Sequence, residues 1–309
     1  LCQDMWGVSV AVLTELFAAY VVALLCSLLV FGSLSDHLGR RPVLLGAIAF
    51  EALSLLLFLL SGGVAMLALA RVIQGLATGV ALATLSAVIV DLQPEDDPKR
   101  SGVVNGVAPL AGLAIGALGC GVLIQFAPWP TTLIFLILLA ALGFAAVAVW
   151  RSPETSTMKP GARESLLPKV GLPAHLRPRF FSLLPIMIAG WALAGLYLSL
   201  GPSIASSFIE DDPYLTGAIV VTALCGTGAV VVYRLRHREP VTVIRFAAGW
   251  LAAGITINLI GLLLDLAPLA LAGTLISGIG FGASALGSFG VLATLPHPDE
   301  RGELFAFAY

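Results

Sequence analysis

Charge is what this chain lacks. Only 11% of its 309 residues are Asp, Glu, Lys or Arg, against about 25% in an ordinary soluble domain. Hydrophobic residues make up 59% of the chain, and the mean hydropathy is +1.00. Such a composition excludes a soluble globular domain. Its long apolar runs indicate an all-α polytopic membrane protein, because a helix satisfies its own backbone hydrogen bonds in lipid. Cysteine is also scarce. Cys2, Cys26, Cys120 and Cys225 show neither metal-ligand nor disulfide spacing, and three of them lie inside apolar runs. They read as small packing residues. The sequence contains no phosphate-cradling glycine loop, no clustered metal ligands and no nucleophile paired with a base. An enzyme is therefore not expected, nor is a cofactor, a metal or a nucleic-acid partner.

Hydropathy predicts nine spans at about 8–32, 42–61, 64–90, 102–127, 130–150, 180–208, 214–233, 241–264 and 267–293, with a tenth beginning near Leu304. The links Ser61–Gly63, Ala127–Pro130, Glu210–Pro213 and Asp265–Pro268 contain no Lys or Arg. The alternate links, 33–41, 91–101, 151–179, 234–240 and 294–303, hold every basic residue except Arg71 and Arg245. This asymmetry makes the second set cytoplasmic and puts the start of the first span outside. The longest link, 151–179, is rich in Pro and basic residues, as suits a cytoplasmic linker lying against anionic lipid. It divides the chain into a first half, 1–150, and a second, 180–309. Two motifs recur across it. Arg40-Arg41-Pro42-Val43 is echoed by Arg238-Glu239-Pro240-Val241, and Pro94-Glu-Asp-Asp-Pro by Pro296-His-Pro-Asp-Glu, both at an offset of about 200 residues. That pattern predicts two parallel repeats.

The densest motif in the first ninety residues is Gly32-Ser-Leu-Ser-Asp36-His-Leu-Gly39-Arg40-Arg41-Pro42, between the first two spans. Gly32 and Gly39 permit a sharp reversal, Asp36 can cap or pair, and Arg40 and Arg41 would stay among lipid headgroups. The spacing G-x-L-x-D-x-x-G-R-R-P resembles the signature loop between the second and third helices of the major facilitator superfamily of secondary transporters. His37 stands where that family usually has Arg or Lys. The resemblance implies a two-half helical bundle of twelve helices, of which this chain would hold the second to the tenth and the start of the eleventh. Pro153-Glu154-Thr155 resembles a family end-of-helix signature and reads here as a helix stop with a polar cap.

Ionisable residues inside spans are costly, so each is a functional candidate. Arg71 opens Arg71-Val-Ile-Gln74-Gly75-Leu-Ala-Thr78-Gly79. This string resembles the family's fourth-helix motif, whose Arg is implicated in proton coupling. Gln74 lies one turn on along the same face, and Gly75 and Gly79 allow close helix approach. Glu15 and Arg71 each lie about seven residues, or ~10 Å, inside their spans from the same side. An Arg71–Glu15 contact would keep Glu15 ionised, and its loss in a low dielectric would favour proton uptake. Glu51 lies ~14 Å from the cytoplasmic side among leucines. A hydrogen bond to a neighbouring helix is its expected role, since the resemblance puts its helix at the periphery.

Gly112-Leu-Ala-Ile-Gly116-Ala-Leu-Gly-Cys-Gly121 resembles a fifth-helix motif of proton-coupled exporters, with Ala117 in place of its Pro and Cys120 in place of one Gly. Glycines four apart predict a close-packing stripe along Gly102–Gly106 and Gly112–Gly116. The resemblance puts the third, sixth and ninth spans against a central cavity, with Thr78, Thr84, Trp191, Tyr197, Ser199, Ser203, Ser277 and Ser284 as lining candidates. Aromatic, hydroxyl and aliphatic walls suit a neutral or amphipathic solute. The expectation is a monomeric, proton-coupled exporter of a drug-like or metabolite solute in the cell (inner) membrane. Uptake of a sugar or other small metabolite is the alternative.

Overall fold

The computed structural model describes residues 10–94, 100–158, 160–161, 165, 177–201 and 213–294. These form ten helices: α1 Val10–Phe31, α2 Leu34–Leu38, α3 Arg40–Leu59, α4 Val64–Asp91, α5 Arg100–Phe126, α6 Pro130–Arg151, α7 Arg177–Ser199, α8 Pro213–Leu235, α9 Pro240–Leu263 and α10 Ala267–Thr294. All but the five-residue α2 are long and apolar enough to cross a bilayer. The predicted tenth span and residues 202–208 of the predicted sixth lie outside the described residues.

The chain divides into two compact units. The first contains α1–α4 and α6 with the segment that follows it. The second contains α5 and α7–α10. Residues 94–130, which carry α5, thus pack with the later helices.

In the first unit, α4 packs on α1 through the two glycines of its motif. A methyl added at Gly75 would meet the Ala23 Cβ at 2.8 Å, and one at Gly79 would meet the Leu24 carbonyl oxygen at 2.7 Å. Ser27 donates from Oγ to the Leu76 carbonyl at 2.7 Å across the same seam. Small residues let the two backbones approach closely enough for this bond.

The second unit is built on the α9–α10 hairpin. Gly261 faces Ala270, Gly273 faces Asn258, Gly254 faces Ser277, Gly280 faces Leu251, and Gly287 faces Ile244. The contacts recur every three, four or seven residues along both helices, as in an antiparallel 3–4 packing. At each of these positions glycine admits the facing helix where a side chain would strike it. The hairpin turns at Asp265. Leu266 N–H donates to Gly261 O at 2.8 Å and Asp265 N–H to Leu262 O at 3.3 Å. This is a Schellman closure with a non-glycine residue at φ 53°. α8 crosses the hairpin where Gly282 meets the Gly228 backbone, and α5 packs on α8 through Leu110 and Ala114.

Candidate functional site

Three helices of the first unit converge on one carboxylate. Arg71 of α4 donates from Nη1 to Gln74 Oε1 at 2.9 Å. Gln74 donates in turn from Nε2 to Glu51 Oε1 of α3 at 3.2 Å, and Thr78 Oγ1 lies 3.4 Å from Glu51 Oε2. The i, i+3, i+7 spacing of Arg71, Gln74 and Thr78 lines one face of α4. The Tyr20 hydroxyl of α1 meets Thr78, with Glu51 and Arg71 nearby. The Arg71 guanidinium also sits over the Phe58 ring at 5.1 Å from its centroid, a cation–π contact that helps hold a permanent cation among apolar groups. The structure thus brings Glu51, and not Glu15, into the Arg71 network. Glu15 is exposed on another face of α1, where it lines an open groove with Ala18, Ala19, Val22, Ala23, Cys26, Val72 and Leu76.

A second cluster lies at the loop end of the same unit. Gly39 takes φ 98°, a left-handed value that favours glycine, and reverses the chain between α2 and α3. Across this reversal Glu154 accepts from the Arg40 N–H at 2.7 Å with Oε1 and from the Arg41 N–H at 3.0 Å with Oε2. It therefore caps the N-terminus of α3 from more than a hundred residues away. Burial pushes the Glu154 carboxyl up, but the N–H groups of Ser156, Arg41, Arg40 and Thr155 outweigh this and hold it below the usual carboxylate range. Arg40 is also held by side chains. Its guanidinium pairs with Asp36, reaches Asp91 Oδ2 at 3.1 Å and donates to Ser35 Oγ at 2.6 Å. Thr155 donates to the same Asp91 oxygen at 2.9 Å, and Ser156 Oγ to the Asp36 carbonyl at 3.1 Å. Arg41 instead stacks 5.9 Å from the Trp150 ring centroid.

Other sequence candidates fall elsewhere. Gly112 and Gly116 face open space among the described residues, so they form no packing stripe. α5 uses Leu110, Ala114 and the buried Gly121 region instead, with Thr222 Oγ1 bonded to Ala114 O at 3.1 Å. Gly106 meets Val232 at 3.0 Å, while Gly102 is open. Tyr197 is buried in the core of the second unit, its hydroxyl 3.4 Å from Thr274 Oγ1, and so packs inside the unit. Trp191 and Ser199 are exposed on α7. Thr84 is buried and bonds back to Val80 O, and Ser284 is buried and bonds to Phe281 O. Ser203 lies outside the described residues. Gly32 closes α1, its N–H bonded to Leu28 O at 3.1 Å.

Four participants are not among the sequence candidates. Glu154 was read as a local helix stop, and Asp91 went unremarked, although both are acids at loop ends on the predicted cytoplasmic side. Asn258 carried a usable signal as an amide inside a span. It donates to Ala270 O at 2.9 Å and to Thr274 Oγ1 at 3.1 Å. Tyr20 carried no such signal.

Nine described helices long and apolar enough to cross a bilayer, with an Arg–amide–carboxylate chain among them, mark a multi-pass membrane protein. The chain belongs to the Major Facilitator Superfamily, which it matches over residues 2–309. It is similar in structure to the human organic anion transporter MFSD10, with 23% identity and a TM-score of 0.61, covering 94% of this chain and 72% of that one. It is also similar to the proton:xylose symporter XylE, with 14% identity and a TM-score of 0.72, covering 96% of this chain and 75% of that one. A partially occluded inward-open XylE from E. coli gives 16% identity and a TM-score of 0.72, covering 97% and 77%. A search of curated protein sequences gives no match. The structural likenesses show the fold, and the family match gives the class: a secondary transporter, not an enzyme.

Proposed function

We propose that the chain exports a small drug-like or metabolite solute in exchange for protons, with Glu51 as the carboxylate that takes and releases the proton. The observation that carries this reading is the Arg71–Gln74–Glu51 chain, closed by Thr78. An ionised Glu51 accepts from Gln74 and Thr78 with its two oxygens. Protonation turns one of those oxygens into a donor. Gln74 Nε2 and Thr78 Oγ1 then lose part of their acceptor, and Arg71 loses its counter-charge at the far end of the amide. Because losing a counter-charge near a cation at membrane depth is costly, α3 and α4 re-pair their polar groups when the proton arrives. Proton binding and helix packing are therefore coupled through Gln74. The export direction rests on the likeness of Gly112–Gly121 to an exporter motif.

The test uses inside-out vesicles with an acid interior and a lumenal pH dye. A transported solute added outside should make the lumen more alkaline, and Arg71→Ala and Glu51→Gln should abolish that response. Acidification of the lumen would indicate co-transport and uptake. Accumulation of labelled solute with no pH change, or a full response in Glu51→Gln, would overturn the proton-coupled reading.

A further inference from the structure

We propose that Tyr20 and Thr78 form the proton wire to Glu51: a proton enters at the Tyr20 hydroxyl, passes through the Thr78 hydroxyl and reaches Glu51 Oε2. The inference rests on the reading of Glu51 as the proton-carrying group, and names the residues that load it.

The hydrogen bonds of the network have fixed directions. Arg71 can only donate, and it donates to Gln74 Oε1. The Gln74 amide therefore turns its N–H groups to Glu51 Oε1, 3.2 Å away, and holds that oxygen as an acceptor. Ionised Glu51 can only accept, so the single proton of Thr78 goes to Glu51 Oε2 at 3.4 Å. Thr78 then meets the Tyr20 hydroxyl with a lone pair, and Tyr20 donates to it. The two hydroxyls point in series from Tyr20 through Thr78 to Glu51. Arg71 of α4 and Tyr20 of α1 are the charged and titratable groups that face Glu51 from the helices packed around it.

α1 comes within reach because of Gly75. A methyl there would strike the Tyr20 carbonyl oxygen, and Thr78 lies three residues further along the same face of α4. The glycine that admits the Tyr20 backbone thus sets the Tyr20 hydroxyl beside Thr78. Tyr20 is half-buried and carries the terminal hydroxyl of the series, where water delivers the proton.

Gln74 cannot carry the proton in their place. Its N–H groups have no lone pair to take a proton as another leaves, whereas a hydroxyl both donates and accepts. The transfer makes three O–H bonds and breaks three. A hydronium ion gives a proton to Tyr20 Oη, Tyr20 gives its own to Thr78 Oγ1, and Thr78 gives its own to Glu51 Oε2. Both hydroxyls stay neutral, and the series now points the other way. Glu51 donates to Thr78, Thr78 donates to Tyr20, and the Tyr20 proton faces water. Within the network Tyr20 is therefore a donor when Glu51 is ionised and an acceptor when it is protonated.

That switch is read by infrared difference spectroscopy between acidic and alkaline buffer, on the purified chain in nanodiscs with ring-labelled tyrosine to mark the phenol C–O stretch. In the unsubstituted chain a tyrosine C–O band should shift together with the carboxylic C=O band, and the shift should be lost in Tyr20→Phe and in Glu51→Gln. The carboxylic band itself should remain in Tyr20→Phe and Thr78→Val, because a wire sets the rate of protonation and not whether the carboxyl titrates. In inside-out vesicles both variants should slow the solute-driven pH response at least about tenfold. Thr78→Ser, which keeps the hydroxyl, should retain it. A full-rate response in Tyr20→Phe, or a titrating carboxylic band in the unsubstituted chain with no tyrosine shift beside it, would overturn the wire alone. Absence of a Glu51 carboxylic band while solute transport continues would sink the reading of Glu51 itself.

Discussion

Replacing Glu154 with Ala removes a cap from a helix that begins more than a hundred residues earlier. The carboxylate satisfies two first-turn donors of α3, Arg40 N–H at 2.7 Å and Arg41 N–H at 3.0 Å, and also Ser156 N–H at 3.0 Å. Loss of an N-cap side chain costs about 1–2 kcal/mol. The cost here belongs at the upper end of that range, because one side chain serves both helix donors and its charge faces the positive end of the α3 dipole. At about 2–4 °C per kcal/mol for a domain of this general size, the melting temperature in detergent should fall by about 4–8 °C. Amide exchange should accelerate at Arg40 and Arg41, while peptides of the second unit keep their protection. The pH dependence has a definite sign. The folded-state carboxyl is held below its ordinary value of 4.5, so its contribution is complete above that pH. It is lost as the pH falls further, through the depressed folded value. The unsubstituted chain should converge on Glu154→Ala in that acid window and differ from it above. Equal melting temperatures at neutral pH, with unchanged exchange at Arg40 and Arg41, would refute the capping argument.

Further substitutions test other parts of the account. Gly282→Ala sets a methyl against the Gly228 backbone and should cost about 1–3 kcal/mol by overpacking, whereas Gly116→Ala points into open space and should be neutral or stabilising by up to about 1 kcal/mol. Reversible unfolding titrations in mixed micelles would separate the two, and an equal cost would count against the packing assigned to α8 and α10. Asn258→Ala removes the bonds to Ala270 O and Thr274 Oγ1 and should destabilise by about 0.6–1.7 kcal/mol in the same titration. Asp265→Gly relieves a left-handed non-glycine residue at the α9–α10 turn and should raise stability by about 0.5–1 kcal/mol, visible as a higher melting temperature.

Hydropathy was a sound guide to the spans because each of the nine longest helices must be apolar over its own length, a property written locally. α3 begins at Arg40 and α9 at Pro240, where the basic loops predict. Gly75 and Gly79 were legible for a similar reason, since a glycine pair four apart marks one face of one helix. For Gly112 and Gly116, which face open space among the described residues, spacing shows that a face is small but not which helix comes to meet it. Partner choice was the least legible property. Glu15 and Glu51 are both lone acids in apolar runs, and depth along the span suggested Glu15 as the companion of Arg71. Which carboxylate reaches Gln74 depends on how α1 and α3 are rotated about α4, and no periodicity in a single helix records that rotation. Glu154 shows the same limit, since its partners lie on a helix distant in sequence.

The most direct test of the central claim is infrared difference spectroscopy on the purified protein between acidic and alkaline buffer, with and without a transported solute. The account predicts a carboxylic-acid C=O band that shifts in heavy water, changes when solute is added, and is missing in Glu51→Gln but retained in Glu15→Gln. The same solute-sensitive band persisting in Glu51→Gln would contradict it and move the proton to another group.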